Sequence, residues 1–331
     1  MVRIGVIAAY PDEDWHSARV LLAALARSSA EVLSPLDFSA DMGSTGTELL
    51  VQGRSHRSFD GFLTPRALGD EGDAELQIEL YRTLAEEGAL VVNDVRALTI
   101  AIDKWKTSWL LAKGGVPTPR ALVVQRPSDV GPAIASLGGR AVAKPLYGSL
   151  GIGVELVDTV GRAVECLGRW KALYLQAFVP ALGSRPSDLR AFVVGDRVVT
   201  TIARTAQPGE FRANVHLGGR AGEVRLDGAT EALAVRAAKL LGLDYAGVDL
   251  IASREGPQVI EVNGTPLFRG IYDVTGRDMA EPIVDHLLDR IAARGSGAHR
   301  GRASGIARGG RRVEARATEA DERRAAKWPR R

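Results

Sequence analysis

The sequence is poor in the residues that would tie it to an oxidising compartment, a membrane or a covalent nucleophile. Cys166 is the only cysteine among 331 residues, so no intrachain disulfide can form and a cysteine-based metal site is disfavoured. Aromatic residues amount to 5%, which leaves glycine, alanine, valine and leucine to do the packing. No apolar run reaches the roughly 18 residues a membrane-spanning helix needs. The opening MVRIGVIAAY reads as a first strand with a charge inside it, without the basic end and long apolar stretch of a secretory signal. These absences predict a cytoplasmic protein with no membrane partner. No serine or cysteine stands in a nucleophile motif.

What is present is an ordinary globular composition, 45% hydrophobic and 25% charged, in a chain long enough for two or three domains and a sizeable core. The net charge of +3 hides an asymmetry. Residues 294–331 carry twelve Arg or Lys against four Asp or Glu, a surplus of +8, so the body from 1 to 293 is mildly acidic at −5. The tail is rich in Gly, Ala and Arg, has almost no apolar periodicity, and is expected to be disordered. Through it alone a nucleic acid or another acidic partner is conceivable.

Along the chain, VRIGVIAA (2–9), AEVLSPLDF, FDGFLTPRAL and ALVVND read as strands, with helices through Trp15–Arg27 and 73–87. Strands alternating with helices predict an α/β layer with a parallel sheet over 1–93. The polar stretch 39–58 reads as a loop. One helix is expected from Asp94 to Lys113, closed by Gly114, Gly115 and Pro117. Strands at 118–124 and 140–146 flank a helix near 128–137; GVELV, a helix at 159–170 and LYLQAFV follow, giving a second unit over 94–180. The third, 181–293, has a hairpin at Gly195–Asp196, a helix at 229–242, a strand pair AGVDLIAS and QVIEVN, and a helix near 278–293. The fold class is thus α/β: a parallel layer, two α+β subdomains, and the tail.

Four stretches contain residues that could carry chemistry. In AKPLYGSLGIGV (143–154) Lys144 ends a strand, and Gly148, Gly151 and Gly153 follow. Glycines let backbone N–H groups converge on an anion, and a lysine supplies a compact cation; a glycine-built hairpin turn explains the same spacing. In DKWKTSWLLAK Lys104 starts a helix, where the dipole disfavours a cation unless an anion is its partner; a solvated lysine is the plain alternative. Glu261 and Asn263 are two apart on a strand and share a face. Asp249, at the end of AGVD, would meet them if the two strands pair. Two carboxylates and an amide oxygen suit Mg²⁺, which takes few protein ligands beside phosphates; exposed carboxylates at a sheet end are the alternative. In ARTAQPGEFRANVHLGG (203–219) Arg204, Arg212, Asn214 and His216 follow a hairpin, and arginine suits phosphate or carboxylate.

In their order, DKWKTSWLLAKGGVPTP, AKPLYGSLGIGV, YLQAFVP, DLRAFVVGDRVV, GEFRANVHLGG, YAGVDLI and VIEVNGTP resemble the ATP-grasp superfamily and, within it, the RimK-type α-L-glutamate ligases. The resemblance spans about 104–288 and implies the ATP-grasp fold, with two subdomains clasping ATP. It also implies roles. Lys104 and Lys144 would reach the phosphates, and Lys144 and Arg212 would act in catalysis. Gly148, Ser149, Gly151 and Gly153 would form the loop closing over ATP. Gln176, Ala177, Phe178 and Val179 would form the linker reading adenine, although Ala177 stands where the family carries a glutamate. Asp188, Arg190, Arg212 and Asn214 would contact nucleotide. Asp249, Glu261 and Asn263 would ligate two Mg²⁺ or Mn²⁺ ions.

The implied reaction makes an acylphosphate on an acceptor carboxylate, then an amide with L-glutamate. KPLYGSLGIGV and VNGTPLFRGI look closest to the tetrahydromethanopterin α-L-glutamate ligase branch, which implies a pterin acceptor contacted from residues 10–70. RimK-like glutamylation of a ribosomal or carrier protein terminus is the alternative within the family. A non-catalytic nucleotide-binding module is the alternative outside it. A homo-oligomer is expected by analogy.

Overall fold

The computed structural model describes residues 1–10, 14–44, 46–69, 71–148, 151–183, 185–213 and 219–302, with side chains to 295. Its compact unit is Met1–Ile291, and a second unit comprises Ala292–Arg331. The first layer contains β1 (Arg3–Ala8), α1 (Trp15–Leu25), β2 (Ser29–Leu33), β3 (Phe38–Gly43), β4 (Gly46–Val51), β5 (Arg54–Ser55), β6 (Gly61–Arg66), α2 (Ala74–Glu86) and β7 (Val91–Val92). Strands β2-β1-β6-β7 form the expected parallel sheet. Ile4, Val6, Phe62 and Leu63 on its central strands are fully buried, each worth about 1.5–3 kcal/mol relative to exposure.

The stretch expected to be a loop at 39–58 is instead a three-stranded antiparallel sheet, β3-β4-β5. Only Phe38 of β3 is buried and the next five residues are exposed, so the strand lacks the apolar alternation that would reveal it.

Next come α3 (Val95–Ile102), α4 (Lys104–Lys113), β8 (Ala121–Val124), α5 (Pro127–Ser136), β9 (Ala141–Pro145), β10 (Glu155–Val157), α6 (Val160–Trp170) and β11 (Leu173–Ala177). The single helix expected over 94–113 is broken at Asp103, whose ψ of 104° is extended. The Asp103 carboxylate accepts from the Lys106 N–H at 2.9 Å and so caps a new helix. Strands β10-β9-β11-β8 form an antiparallel sheet whose inner face packs Ala141, Ala143, Leu173 and Leu175 against α5 and α6.

The remaining elements are β12 (Ser187–Val194), β13 (Arg197–Thr205), β14 (Arg220–Glu223), α7 (Gly228–Leu240), β15 (Tyr245–Ser253), β16 (Gly256–Asn263), α8 (Arg269–Thr275) and α9 (Ala280–Arg302). Helix α8 has no counterpart in the sequence reading. Helix α9 runs past its expected end at 293, into residues assigned above to the tail; the tail from 303 on lies outside the described residues. The five strands β14-β13-β12-β15-β16 form the large antiparallel sheet. Along β12, Ala191 and Val193 face α7, whereas Phe192 and Val194 enter the core shared with β1, α1 and the start of α9. Asp188 and Arg190 lie on the same face as Phe192 and Val194, where that face leaves the core. Among the described residues no helix is long and apolar enough to cross a membrane.

Candidate active site

A cavity of about 210 Å³ lies between the outer face of β9 and β11 and the charged end of the large sheet. Lys104, Lys144, Gly148, Gly151, Gln176, Ala177, Phe178, Val179, Asp188, Arg212, Asp249 and Glu261 all line it. Gly153, Arg190 and Asn263 stand outside its lining, and Ser149, Asn214 and His216 lie outside the described residues.

Register explains the convergence on the large sheet. Arg190 pairs with Asp249 across β12–β15, Asp249 with Glu261 across β15–β16, and Asp188 with Arg204 across β12–β13. Directly opposed residues share a sheet face, so five charged side chains form one patch. Asp249 lies within its strand, not at its end as the sequence suggested, because β15 continues to Ser253 before the hairpin turns, whereas β16 does end at Asn263, two residues after Glu261. The patch therefore covers the sheet face.

Arg190 donates to Asp249 through Nε and Nη2 at 2.7 and 2.6 Å. Arg204 donates to Asp188 at 2.6 and 2.8 Å, and its Nη2 lies 3.0 Å from Asp249. Burial would raise the Asp249 carboxyl, but the two guanidiniums overcome it and hold the group at about 2. For Asp188 burial prevails: with Asp249 adding to it, the carboxyl sits above its ordinary value despite Arg204. Arg204, a candidate for an anion in the sequence, takes two carboxylates as its partners, which only its register opposite Asp188 reveals.

On the facing sheet Lys144 Nζ donates to Gln176 Oε1 at 2.8 Å, and Lys104 Nζ donates to the Gly148 carbonyl at 2.8 Å. Burial lowers both amines, while the Glu261 charge acts in the opposite direction. Lys104 owes its place to the helix break at Asp103, which makes it the first residue of α4. Arg212 is paired with Glu210 through Nε at 3.0 Å and Nη2 at 2.8 Å, and its Nη1 donates to the Gly151 carbonyl at 3.2 Å. The glycine-rich segment is thereby tied to both cationic ends of the cavity. Arg140 stacks over Phe178 at 4.6 Å, and Val142, Ile152, Val154 and Ile260 complete an apolar wall.

The arrangement is suited to a polyanion with an apolar flat end: cations on one side, a slot lined by the chain that leaves β11 and by aliphatic side chains on the other. The oxygen donors suit a hard cation. Among the described residues no group of three His, Cys, Asp or Glu could hold a metal by itself. Two carboxylates and one amide match Mg²⁺, which completes its shell with phosphate oxygens and water.

A family model described as a RimK-like ATP-grasp domain matches residues 101–287, over half of the chain. A probable alpha-L-glutamate ligase of Legionella pneumophila (strain Corby) is 32% identical over 292 residues, 86% of this chain and 95% of the relative. One from Serratia proteamaculans (strain 568) is 35% identical over 269 residues, 79% and 87% of the two chains. Among solved structures, the RimK domain ATP-grasp protein of Sphaerobacter thermophilus DSM 20745 superposes with a TM-score of 0.60 at 23% identity, covering 87% of this chain and 100% of the other. The ATP-grasp ligase PsnB, solved with a phosphomimetic variant of its minimal precursor, Mg and ADP, gives 0.67 at 20% identity, covering 87% and 98%. At these identities the structural likeness speaks for the fold. The chain belongs to the RimK-like ATP-grasp family and is an ATP-grasp ligase.

Proposed function

We propose that this ligase uses ATP to join L-glutamate to an acceptor carboxylate. The observation that carries the reading is the meeting of Lys104, Lys144 and Arg212 with Asp249 and Glu261 in one cavity. The relatives described as glutamate ligases support the choice of amine.

A carboxylate resists attack by an amine because it has no good leaving group. Phosphoryl transfer from ATP supplies one: the acceptor oxygen bonds to phosphorus, ADP leaves, and the acylphosphate carbon becomes electrophilic. The glutamate amine then forms the C–N bond as the C–O bond to phosphate breaks, and the amine releases its proton. The protein aligns the reactants and neutralises charge; no side chain bonds to them. Lys104, Lys144 and Arg212 face the phosphates, while Ala177, Phe178 and Val179, where the chain leaves β11, line the adenine end. Asp188 and Arg190 complete the nucleotide side. Asp249, Glu261 and Asn263 would hold two Mg²⁺ or Mn²⁺ ions, which supply charge neutralisation when bound. Fixed positive groups in a partly enclosed site act on developing charge more strongly than in water.

The acceptor is read as a small cofactor, and a tetrahydromethanopterin precursor bearing a terminal carboxylate is the specific candidate. The likeness of KPLYGSLGIGV and VNGTPLFRGI to that branch supports it. The test is ADP release with ATP, Mg²⁺ and L-glutamate in the presence of the pterin precursor, a ribosomal protein or a carrier protein, followed by mass measurement of the acceptor. A glutamyl mass increase on the pterin is expected; the same increase on a protein alone would move the acceptor assignment there. Absence of acceptor-dependent ADP in every mixture, with ATP bound, would refute the reading.

A further inference from the structure

Ser108, Tyr174, Gln176 and Lys144 form a chain of side-chain hydrogen bonds that the reaction described above leaves unused. Lys144 and Tyr174 are cross-strand partners on β9 and β11. They stand on the face opposite the one that packs Ala143 and Leu175 against α5 and α6. Lys144 Nζ donates to Gln176 Oε1 at 2.8 Å. With its oxygen so engaged, the Gln176 amide nitrogen lies 3.3 Å from the Tyr174 hydroxyl and donates to it. The Tyr174 hydroxyl is hydrogen-bonded in turn to Ser108 Oγ, 2.7 Å away on α4. One fact, the donor character of the lysine amine toward Gln176, fixes the direction of the first two bonds; between Tyr174 and Ser108 either hydroxyl can donate.

Tyr174 and Gln176 are 1% and 3% exposed, so bulk water offers neither group a substitute partner. The chain also ends in a telling place. Ser108 lies one helical turn after Lys104, and the Lys104 backbone N–H donates to the Leu146 carbonyl beyond β9 at 3.3 Å. Both cavity lysines are thus held in one frame, through the backbone at one end of the α4 contact and through side chains at the other.

We propose that Tyr174 and Ser108 are positioning residues for Lys144, holding the Gln176 amide with its oxygen toward the amine and so aiming Nζ at the phosphates of the nucleotide. The proposal rests on the nucleotide-site reading above. A phenylalanine at 174 preserves the ring but leaves the amide nitrogen buried without an acceptor. Turning the amide to relieve this would set its NH₂ against the lysine amine, donor against donor. Turned, the amide no longer anchors Lys144; unturned, it keeps the anchor only with a buried unpaired NH₂, so the single defined orientation is lost.

The test is binding of Mg-AMPPNP and of adenosine, which shares the base and sugar but has no phosphates, to wild type and variants. Tyr174→Phe is expected to weaken AMPPNP about tenfold and adenosine less than about twofold, because the lost anchor serves phosphate contacts alone. Ser108→Ala is expected to weaken AMPPNP about threefold, since Tyr174 still accepts from Gln176 but its hydroxyl loses the partner on α4 that holds it in place. Unchanged AMPPNP affinity, or equal losses for AMPPNP and adenosine, would overturn the proposal. Should Tyr174→Phe fail to fold, Ser108→Ala decides alone on the same criteria. A wild type that binds no AMPPNP would overturn the nucleotide-site reading together with this one; a wild type that binds it and variants that match it overturn this one only.

Discussion

Arg190 and Asp249 face each other across the β12–β15 ladder and share two hydrogen bonds, at 2.7 and 2.6 Å. With Arg204 also at 3.0 Å, both oxygens of this buried carboxylate are engaged. The carboxylate of its cross-strand neighbour Glu261 has no hydrogen bond or ion pair among the described residues. The two carboxylates proposed to hold the metal therefore differ in readiness, and Glu261 is the one a cation meets without displacing a guanidinium.

Glu261→Gln keeps the shape of the side chain and removes its charge. Turnover is expected to fall by about 100-fold or more, and Mn²⁺ binding, followed by electron paramagnetic resonance, to weaken in parallel. The thermal transition without ligand should stay close to that of wild type, because no side-chain hydrogen bond or ion pair is lost and Lys104 and Lys144 lose only a charge at longer range. Wild-type rates in this variant would remove Glu261 from the metal site.

Arg204 is 4% exposed and is shared between Asp188 and Asp249. Arg204→Met keeps much of the volume and leaves Asp188 without its cation, so a loss of about 3–5 kcal/mol is expected at pH 7. Burial and Asp249 already raise the Asp188 carboxyl, and Arg204 opposes them. Without that opposition the folded-state value climbs further above the unfolded one, and the folded protein binds the proton more readily. Stability relative to wild type should then improve as pH falls. Urea denaturation at pH 7 and pH 5 measures both deficits; a deficit that grows toward pH 5 would contradict this account.

Much of the site was legible because strand geometry is simple. Glu261 and Asn263 share a face by period alone, and Lys144 ahead of three glycines marks itself. Asp249 was read correctly as a neighbour of Glu261, yet wrongly as a strand end, because nothing before the turn at 254–255 says how far a hairpin runs. Arg204 stands out in sequence as an anion-binding candidate, but its partners do not: only the β12–β13 register sets it against Asp188. The break at Asp103 was missed since the apolar spacing continues across it, although aspartate is a common N-cap. Sheet β3-β4-β5 was hidden by its exposure. Periodicity reports burial, and β3, exposed after Phe38, leaves no such record although Leu49 and Val51 on β4 are buried.

Lys104 and Lys144 give a pH signature without any acceptor. Burial lowers both amines below their ordinary 10.5. Between the lowered folded value and 10.5 the unfolded chain binds more protons, so stability rises with pH there. Phosphates need the charged amine, so AMPPNP affinity should fall across the same window. Tyr174 is pushed up to about 12 by burial and, as an acid that ionises more easily when unfolded, works against stability only nearer pH 10 and above. Comparing wild type with Lys144→Met at pH 7 to 9.5, by urea denaturation and by calorimetric titration of AMPPNP, isolates the lysine. Identical pH slopes in the two proteins would refute the assignment.

Asn93 holds the site in place from behind. It is fully buried after β7. Its amide nitrogen donates to the carbonyls of Tyr245 and Gly264 at 2.8 and 2.7 Å, and its oxygen accepts from the N–H groups of Asp244 and Tyr245 at 2.7 and 3.1 Å. One side chain thereby fastens the start of β15 to the turn that follows Glu261 and Asn263. That turn is already tight: a Cβ on Gly264 would come within 2.8 Å of Leu98 Cδ2. Asn93→Leu matches the size of the side chain but strands two carbonyls and two N–H groups away from water. Because each buried unmet group costs about 1–3 kcal/mol, a loss of about 3 kcal/mol or more is expected. The damage should be global, since the same residue links the parallel sheet to the large one, and urea denaturation followed by tryptophan fluorescence and by far-ultraviolet circular dichroism should show coincident shifts. A stability within 1 kcal/mol of wild type would mean that these backbone groups find other partners and that Asn93 is not the fastener described.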